Sequence, residues 1–145
     1  MSIHDHPALP ELGERLRKDS RKLTGPRQSI LAELRRQGRP MSNKQIHSSL
    51  GAAECDLATV YRSTRLLEQL GIVKRFDFGD GIARYELLRE GDDGHHHHLV
   101  CTQCEKVVEL EDCFSCELEQ RIALRNGFKA VTHRLEFFGV CPACQ

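Results

Sequence analysis

No apolar run in the 145-residue sequence approaches the roughly 20 residues of a membrane span. The N-terminal stretch MSIHDHPALPELGERL also lacks the basic segment, apolar core and small-residue cleavage site of a secretory signal, so a cytoplasmic location is expected. There is no internal repeat and no net charge, with 21 Lys+Arg against 21 Asp+Glu. Neither an HExxH motif nor a nucleophile elbow occurs. A zinc-dependent hydrolase, the competing class, would therefore have metal ligands but no recognisable substrate site. Length is scarce as well: two domains in a chain this short would each bury a small core and need a staple or a partner.

Cysteine is plentiful. Six of the seven fall in CxxC pairs: Cys101/Cys104, Cys113/Cys116 and Cys141/Cys144. In a reducing compartment this spacing points to metal rather than to disulfides. The first and last pairs lie 36 residues apart, and each can present two thiolates from one tight turn. Four thiolates favour tetrahedral zinc, and a closed shell of four leaves no position for water, so the expected ion is structural. Cys113 and Cys116 read either as a local thiol pair or as an alternative zinc clip, and Cys55 reads as packing.

A second cluster is His95-His96-His97-His98, running into the strand-like Leu99-Val100. Alternate residues of an extended chain face opposite sides, so His95 and His97 would serve one site and His96 and His98 another. The competing reading is a solvated histidine stretch with no specific site. His133, taken alone, reads as a core or surface histidine.

The charge is unevenly spread. Residues 1–89 hold 16 Lys+Arg against 11 Asp+Glu, a net +5, whereas residues 90–145 hold 5 against 10, a net −5. The polar stretch 90–94 is the expected hinge, separating an N-terminal domain over 1–89 from a C-terminal domain over 95–145. Four helices are predicted before the hinge: Leu9 to Lys18; one capped by Thr24 that carries Ile30, Leu31 and Leu34; one capped by Ser42 with Ile46 and Leu50 inward; and one capped by Asp56 with Val60, Leu66, Leu67 and Leu70 inward. Strand-like runs at Ile72 to Phe78 and Ile82 to Leu88 flank Gly79-Asp80-Gly81, a hairpin signal.

Short helix, turn, longer helix and hairpin is the order of a winged helix, which would lay the fourth helix in a major groove of DNA. Ala58, Thr59, Tyr61, Arg62 and Arg65 remain for the groove. Arg15, Lys18, Arg21, Lys22 and Arg27 are candidate phosphate partners, with Lys74, Arg75 and Arg84 on or beside the wing. A helical domain with a solvated basic surface would show a similar pattern. After the hinge, strands are predicted near His98 to Cys101 and Val107 to Leu110, a helix near Phe114 to Asn126, and a strand from Phe128 to Phe138. The expected class is α+β, a winged helix followed by a small α/β domain.

Several elements recur in order over residues 10–145: Ala58-Thr59-Val60-Tyr61-Arg62, HHHHLVCTQC from His95, Val107-Val108-Glu109, and His133 followed by Phe138-Gly139-Val140-Cys141-Pro-Ala-Cys144. Together they resemble the ferric uptake regulator family. The resemblance implies a homodimeric repressor that binds an AT-rich inverted repeat of double-stranded DNA when loaded with metal, using a C-terminal dimerisation domain. By correspondence it assigns Cys101, Cys104, Cys141 and Cys144 to the structural zinc site. It assigns His95, His97 and His133 to a site within the dimerisation domain, with Cys116 where a glutamate ligand usually stands. It assigns Glu86, His96, His98 and Glu109 to the interdomain regulatory site. Pro40 stands in place of that site's usual additional histidine. Iron-sensing members commonly carry an acid at the position of His97, and zinc-sensing members often show HHHH, so a regulatory Zn(2+) is expected, with Fe(2+) or Mn(2+) as the alternative. Iron-sensing and peroxide-sensing members of the same family are the nearest competing functions.

Overall fold

A computed structural model describes residues 9–18, 22–89, 96–110 and 116–145, with backbone alone at Leu9 and Cys116. The stretch 90–94, His95, Cys113 and Arg21 lie outside the described residues. The chain divides into two compact units, Met1–Gly94 and His95–Gln145.

The first unit begins with helices α1 (Leu9–Lys18) and α2 (Gly25–Gln37). The Thr24 side chain caps α2 by accepting the Arg27 N–H, and Gly38 stops it in the left-handed conformation that a Cβ would resist. A two-residue strand β1 (Met41–Ser42) follows, which no pattern in the sequence predicts because it is too short to alternate. Ser42 ends the strand and caps α3 (Asn43–Leu50) in a reciprocal capping box with Gln45. Asp56 caps α4 (Leu57–Gln69) by accepting the Thr59 N–H. Strands β2 (Val73–Asp77) and β3 (Ala83–Leu87) form the wing, closed by Gly79 and Gly81 at positive φ and by Asp77 and Asp80 side chains that accept the Gly79 and Ile82 N–H groups. The sheet order is β1-β3-β2, antiparallel throughout, with Met41 opposite Tyr85 and Arg75 opposite Tyr85 on its other side.

The core joins Leu12 and Leu16 of α1, Ile30, Leu31 and Leu34 of α2, Ile46 of α3, Val60 and Leu67 of α4, and Val73, Tyr85 and Leu87 of the sheet. Cys55 packs into it, as its reading from sequence expects. The inner face of α4 differs from expectation: Val60, Ser63, Thr64 and Leu67 are buried, whereas Leu66 and Leu70 are half-buried. Small hydroxyl residues sit there because α3 crosses close by, and the buried Thr64 hydroxyl donates to Asn43 Oδ1 at 2.8 Å. That bond ties the two helices of the helix-turn-helix together.

Glu33 of α2 lies buried beside α3 and accepts from Arg36, Gln37 and the Ser49 hydroxyl. These donors, Arg36 foremost, hold its carboxyl down at about 2, well below its ordinary 4.5. A depressed carboxyl stabilises the fold above its unfolded pKa, and the contribution is lost as pH falls from about 4.5 towards 2. Arg36 is largely exposed, so solvent screening reduces the effect to about 1–2 kcal/mol. Urea midpoints across pH 2–7 should therefore fall less steeply below pH 4.5 for Glu33→Gln than for the parent.

The second unit is built on strands β4 (His97–Cys101), β5 (Val107–Leu110) and β6 (Glu136–Gly139), in the order β5-β4-β6. β4 pairs antiparallel with β5 and parallel with β6, and helix α5 (Cys116–Asn126) lies between β5 and β6 in sequence. The last strand corrects an expectation. It covers Glu136–Gly139 instead of Phe128 to Phe138, because Gly127 and Ala130 take positive φ and turn the chain before it can pair. His133 consequently sits in the irregular segment before β6 and not on a strand.

Candidate metal centres and nucleic-acid interface

Because β4 and β6 are parallel neighbours, with Cys101 opposite Gly139, the turns that follow them leave the same end of the sheet. Each turn is a CxxC pair. The first closes by the Cys101 N–H donating to Lys106 O at 2.8 Å, with Glu105 at positive φ, and the second is a single turn of 3-10 helix over Pro142–Cys144. The Thr102 N–H donates to Gly139 O at 2.8 Å and locks one turn against the other strand. All four sulfurs lie within 4.8 Å of one another, with Cys104 and Cys141 Sγ 3.5 Å apart.

Backbone N–H groups stabilise a thiolate at Cys101, those of Gln103 and Cys141 each approaching its Sγ to 3.4 Å. The Cys141 N–H is the largest influence holding that thiol down at about 6. Cys144 is pushed up to about 12, chiefly because the Cys141 and Cys104 thiols hold its proton. Tetrahedral zinc with bonds of 2.3 Å separates its sulfurs by about 3.8 Å, so the convergence of four thiols on this scale fits a single zinc, which would link the start of the unit to its last residues.

A second cluster lies on one face of β4. His97 and His133 bring their Nε2 atoms within 3.2 Å, with ring centroids 5.0 Å apart. His97 Nδ1 lies 3.2 Å from Leu135 O, and His133 Nδ1 lies 2.5 Å from a Glu119 carboxylate oxygen. Glu119 was not singled out in the sequence. The signal available was helical spacing, since Glu119 follows Cys116, the expected ligand, by three residues. His95 and the Cys116 side chain, the other two residues expected here, lie outside the described residues.

His98 points to the opposite face of β4, in register with Glu109 on β5 and Glu136 on β6. The His96 ring packs edge-on against it at 4.8 Å between centroids. The alternation expected along the histidine run thus holds for the three described members. Glu86 lies on β3 in the first unit, opposite Lys74.

A sequence profile of the Ferric uptake regulator family matches residues 18–138. The chain belongs to the ferric uptake regulator family. The "Ferric uptake regulation protein" of Bacillus subtilis (strain 168) is 35% identical over 145 residues, an alignment covering 94% of this chain and 93% of that protein. Among solved structures, the Vibrio cholerae ferric uptake regulator superposes with a TM-score of 0.74 at 30% identity, covering 90% of this chain and 99% of that one. A zinc-bound manganese uptake regulator superposes with a TM-score of 0.77 at 33% identity, covering 93% and 99%. This family member is accordingly a metal-responsive transcription regulator of α+β fold with a winged-helix domain, and not an enzyme.

In this ferric uptake regulator family member, α4 presents Ala58, Tyr61, Arg62 and Arg65 to solvent, with Tyr61 half exposed and Thr59 partly covered. Arg62 donates to the Thr59 hydroxyl at 3.2 Å, which holds the guanidinium along the helix. Two of the candidate phosphate partners are tethered: Arg15 donates to Gly71 O at 3.2 Å, and Arg27 to Lys22 O at 2.7 Å. Lys18 and Lys22 are exposed. Arg84 departs from expectation, since its side chain is fully buried, 2.8 Å from Asp80 and 5.3 Å over the Phe78 ring. Burial removes it from any DNA contact, leaving Lys74 and Arg75 as the basic residues of the wing strands. No helix among the described residues is long and apolar enough to cross a membrane.

Proposed function

We propose that this chain is a cytoplasmic, homodimeric repressor that binds an AT-rich inverted repeat of double-stranded DNA when loaded with zinc and controls metal-uptake genes. The preference for zinc rests on one observation, the pair of imidazole Nε2 atoms of His97 and His133 held 3.2 Å apart. With His95 and Cys116 they would make a set of three imidazoles and one thiolate, which suits zinc better than oxygen-seeking metals. Cys101, Cys104, Cys141 and Cys144 would hold a second, structural zinc.

Glu86, His96, His98 and Glu109 form the regulatory set in this reading, supported by their correspondence with the family's positions and by the register of His98 with Glu109. Bound there, the metal supplies charge that neutralises two carboxylates and links ligands from both units. The 90–94 hinge would then favour the arrangement in which two copies of α4 meet successive half-sites, with Ala58, Thr59, Tyr61, Arg62 and Arg65 towards bases and Arg15, Lys18 and Arg27 towards phosphates. Iron is the second reading, favoured by the two carboxylates in that set and by the name of the Bacillus relative.

The test is a DNA-binding titration on an AT-rich palindrome at buffered free Zn(II), and Mn(II) standing in for Fe(II). Zinc is expected to tighten binding on the order of 10–100-fold, at lower free concentration than Mn(II). Tighter coupling to Mn(II) would transfer the assignment to iron. Binding indifferent to removal of the exchangeable metal would end the sensing reading altogether.

A further inference from the structure

From the geometry around His133 we infer that Glu119 is a positioning residue for the dimerisation-domain metal site, acting on the back of the His133 ring and not as a ligand. The inference rests on the proposal that His97 and His133 bind metal, and the experiment below separates the two.

The side of the ring that Glu119 touches decides its role. Its carboxylate oxygen sits at Nδ1, whereas Nε2 of the same ring faces Nε2 of His97. An imidazole binds one ion through one nitrogen, so a group seated on Nδ1 does not share an ion held at Nε2. A carboxylate accepts, so Glu119 favours the Nδ1–H tautomer of His133, in which Nε2 is the nitrogen able to bind an ion. His97 is arranged by the same logic with a different acceptor. Its Nδ1 faces the Leu135 carbonyl oxygen, which can only accept, and its Nε2 faces His133.

The two Nε2 atoms lie 3.2 Å apart. Zinc bonds of 2.0–2.1 Å to two imidazoles in a tetrahedron separate the nitrogens by about 3.3 Å. The spacing of the rings matches that of two imidazoles on one ion, and the carboxylate behind His133 fixes the orientation of its ring, the carboxylate–histidine–zinc pattern. Glu119 and His133 are both partly buried, which limits competition from water for the contact. Glu119 reaches the ring from α5, the helix that spans Cys116–Asn126.

The experiment uses the whole 145-residue chain, with any zinc held by the four cysteines retained. Zinc affinity of the second site is measured by competition with a chelator for the parent, His133→Ala, Glu119→Ala and Glu119→Gln. The tautomer of His133 is read from side-chain 15N NMR before that site is loaded. His133→Ala should abolish the site. Glu119→Ala should leave its stoichiometry intact, weaken zinc about 10–100-fold, and convert His133 from the Nδ1–H form to a mixture of tautomers. Glu119→Gln keeps an acceptor oxygen and should restore the Nδ1–H form with part of the lost affinity. Unchanged zinc stoichiometry in His133→Ala would remove the site itself. Loss of zinc in His133→Ala with unchanged affinity and tautomer in Glu119→Ala would remove only the positioning role. An Nε2–H or imidazolium spectrum in the parent, or a stoichiometric loss of the ion in Glu119→Ala, would also overturn it.

Discussion

Cys141→Ser should lose about one equivalent of tightly held zinc per chain, and the second unit should lose its cooperative melt while the first keeps its own. The reason is the poverty of the second unit's core. Among its described residues the buried apolar side chains are Val100, Cys101 and Val107, whereas Leu118, Ile122, Leu124, Phe128 and Phe137 are substantially exposed on the single chain. A sheet of three short strands with so little buried surface does not hold its register on hydrophobic burial alone. A zinc held by the four cysteines would supply part of the difference, alongside the proposed dimer contact, by joining two CxxC turns that hydrogen bonds such as Thr102 N–H to Gly139 O already hold side by side. Zinc content by native mass spectrometry and amide dispersion by NMR are the measurements. Full zinc content with an unchanged melt in Cys141→Ser would remove the four-cysteine assignment.

Leu67→Ala, by contrast, should destabilise the first unit by about 2–5 kcal/mol without changing the zinc content of the second. Leu67 is fully buried on α4 and belongs to the cluster formed with Leu31, Leu34, Ile46 and Leu87. Its backbone carbonyl also receives the Ile72 N–H at 2.9 Å, where the chain leaves the helix for the wing. Removing its side chain opens a cavity under the helix that carries Tyr61, Arg62 and Arg65, and DNA affinity falls with the loss of that helix's seating. Urea unfolding followed by circular dichroism reads the stability, and zinc analysis provides the control. A loss below about 0.5 kcal/mol would mean that the pocket closes around alanine, and that the helix is held by its polar contacts instead.

These two outcomes separate the two ways in which this short chain is stabilised. The first unit has an apolar core of ordinary kind, drawn from four helices and a small sheet. The second buries few apolar side chains among its described residues, and its stability is expected to depend on a bound zinc and on the dimer contact. The same division explains where acid acts: Glu33 is lost as a stabilising group only below about pH 4.5, because donors from two helices hold it ionised.

Much of this was determined by the amino-acid sequence alone, and for local reasons. Caps at Thr24, Ser42 and Asp56 are single side chains accepting N–H groups three residues away, so they mark helix starts without reference to the rest of the chain. The separation of His97 from His98 follows from the period of two of an extended strand, and the CxxC pairs from the reach of one tight turn. Other features depend on residues far apart in sequence meeting, and only the tertiary structure decided them. Parallel pairing of β4 with β6 brings Cys101 beside Cys141. Left-handed residues at Gly127 and Ala130 take His133 off the strand and set it against His97. One turn of α5 puts Glu119 behind that ring, and the wing buries Arg84 against Asp80 and Phe78. Local spacing names the groups that can bind a metal. Which nitrogen each ring presents, and what stands behind it, is decided by packing across the whole unit, where no short-range pattern operates.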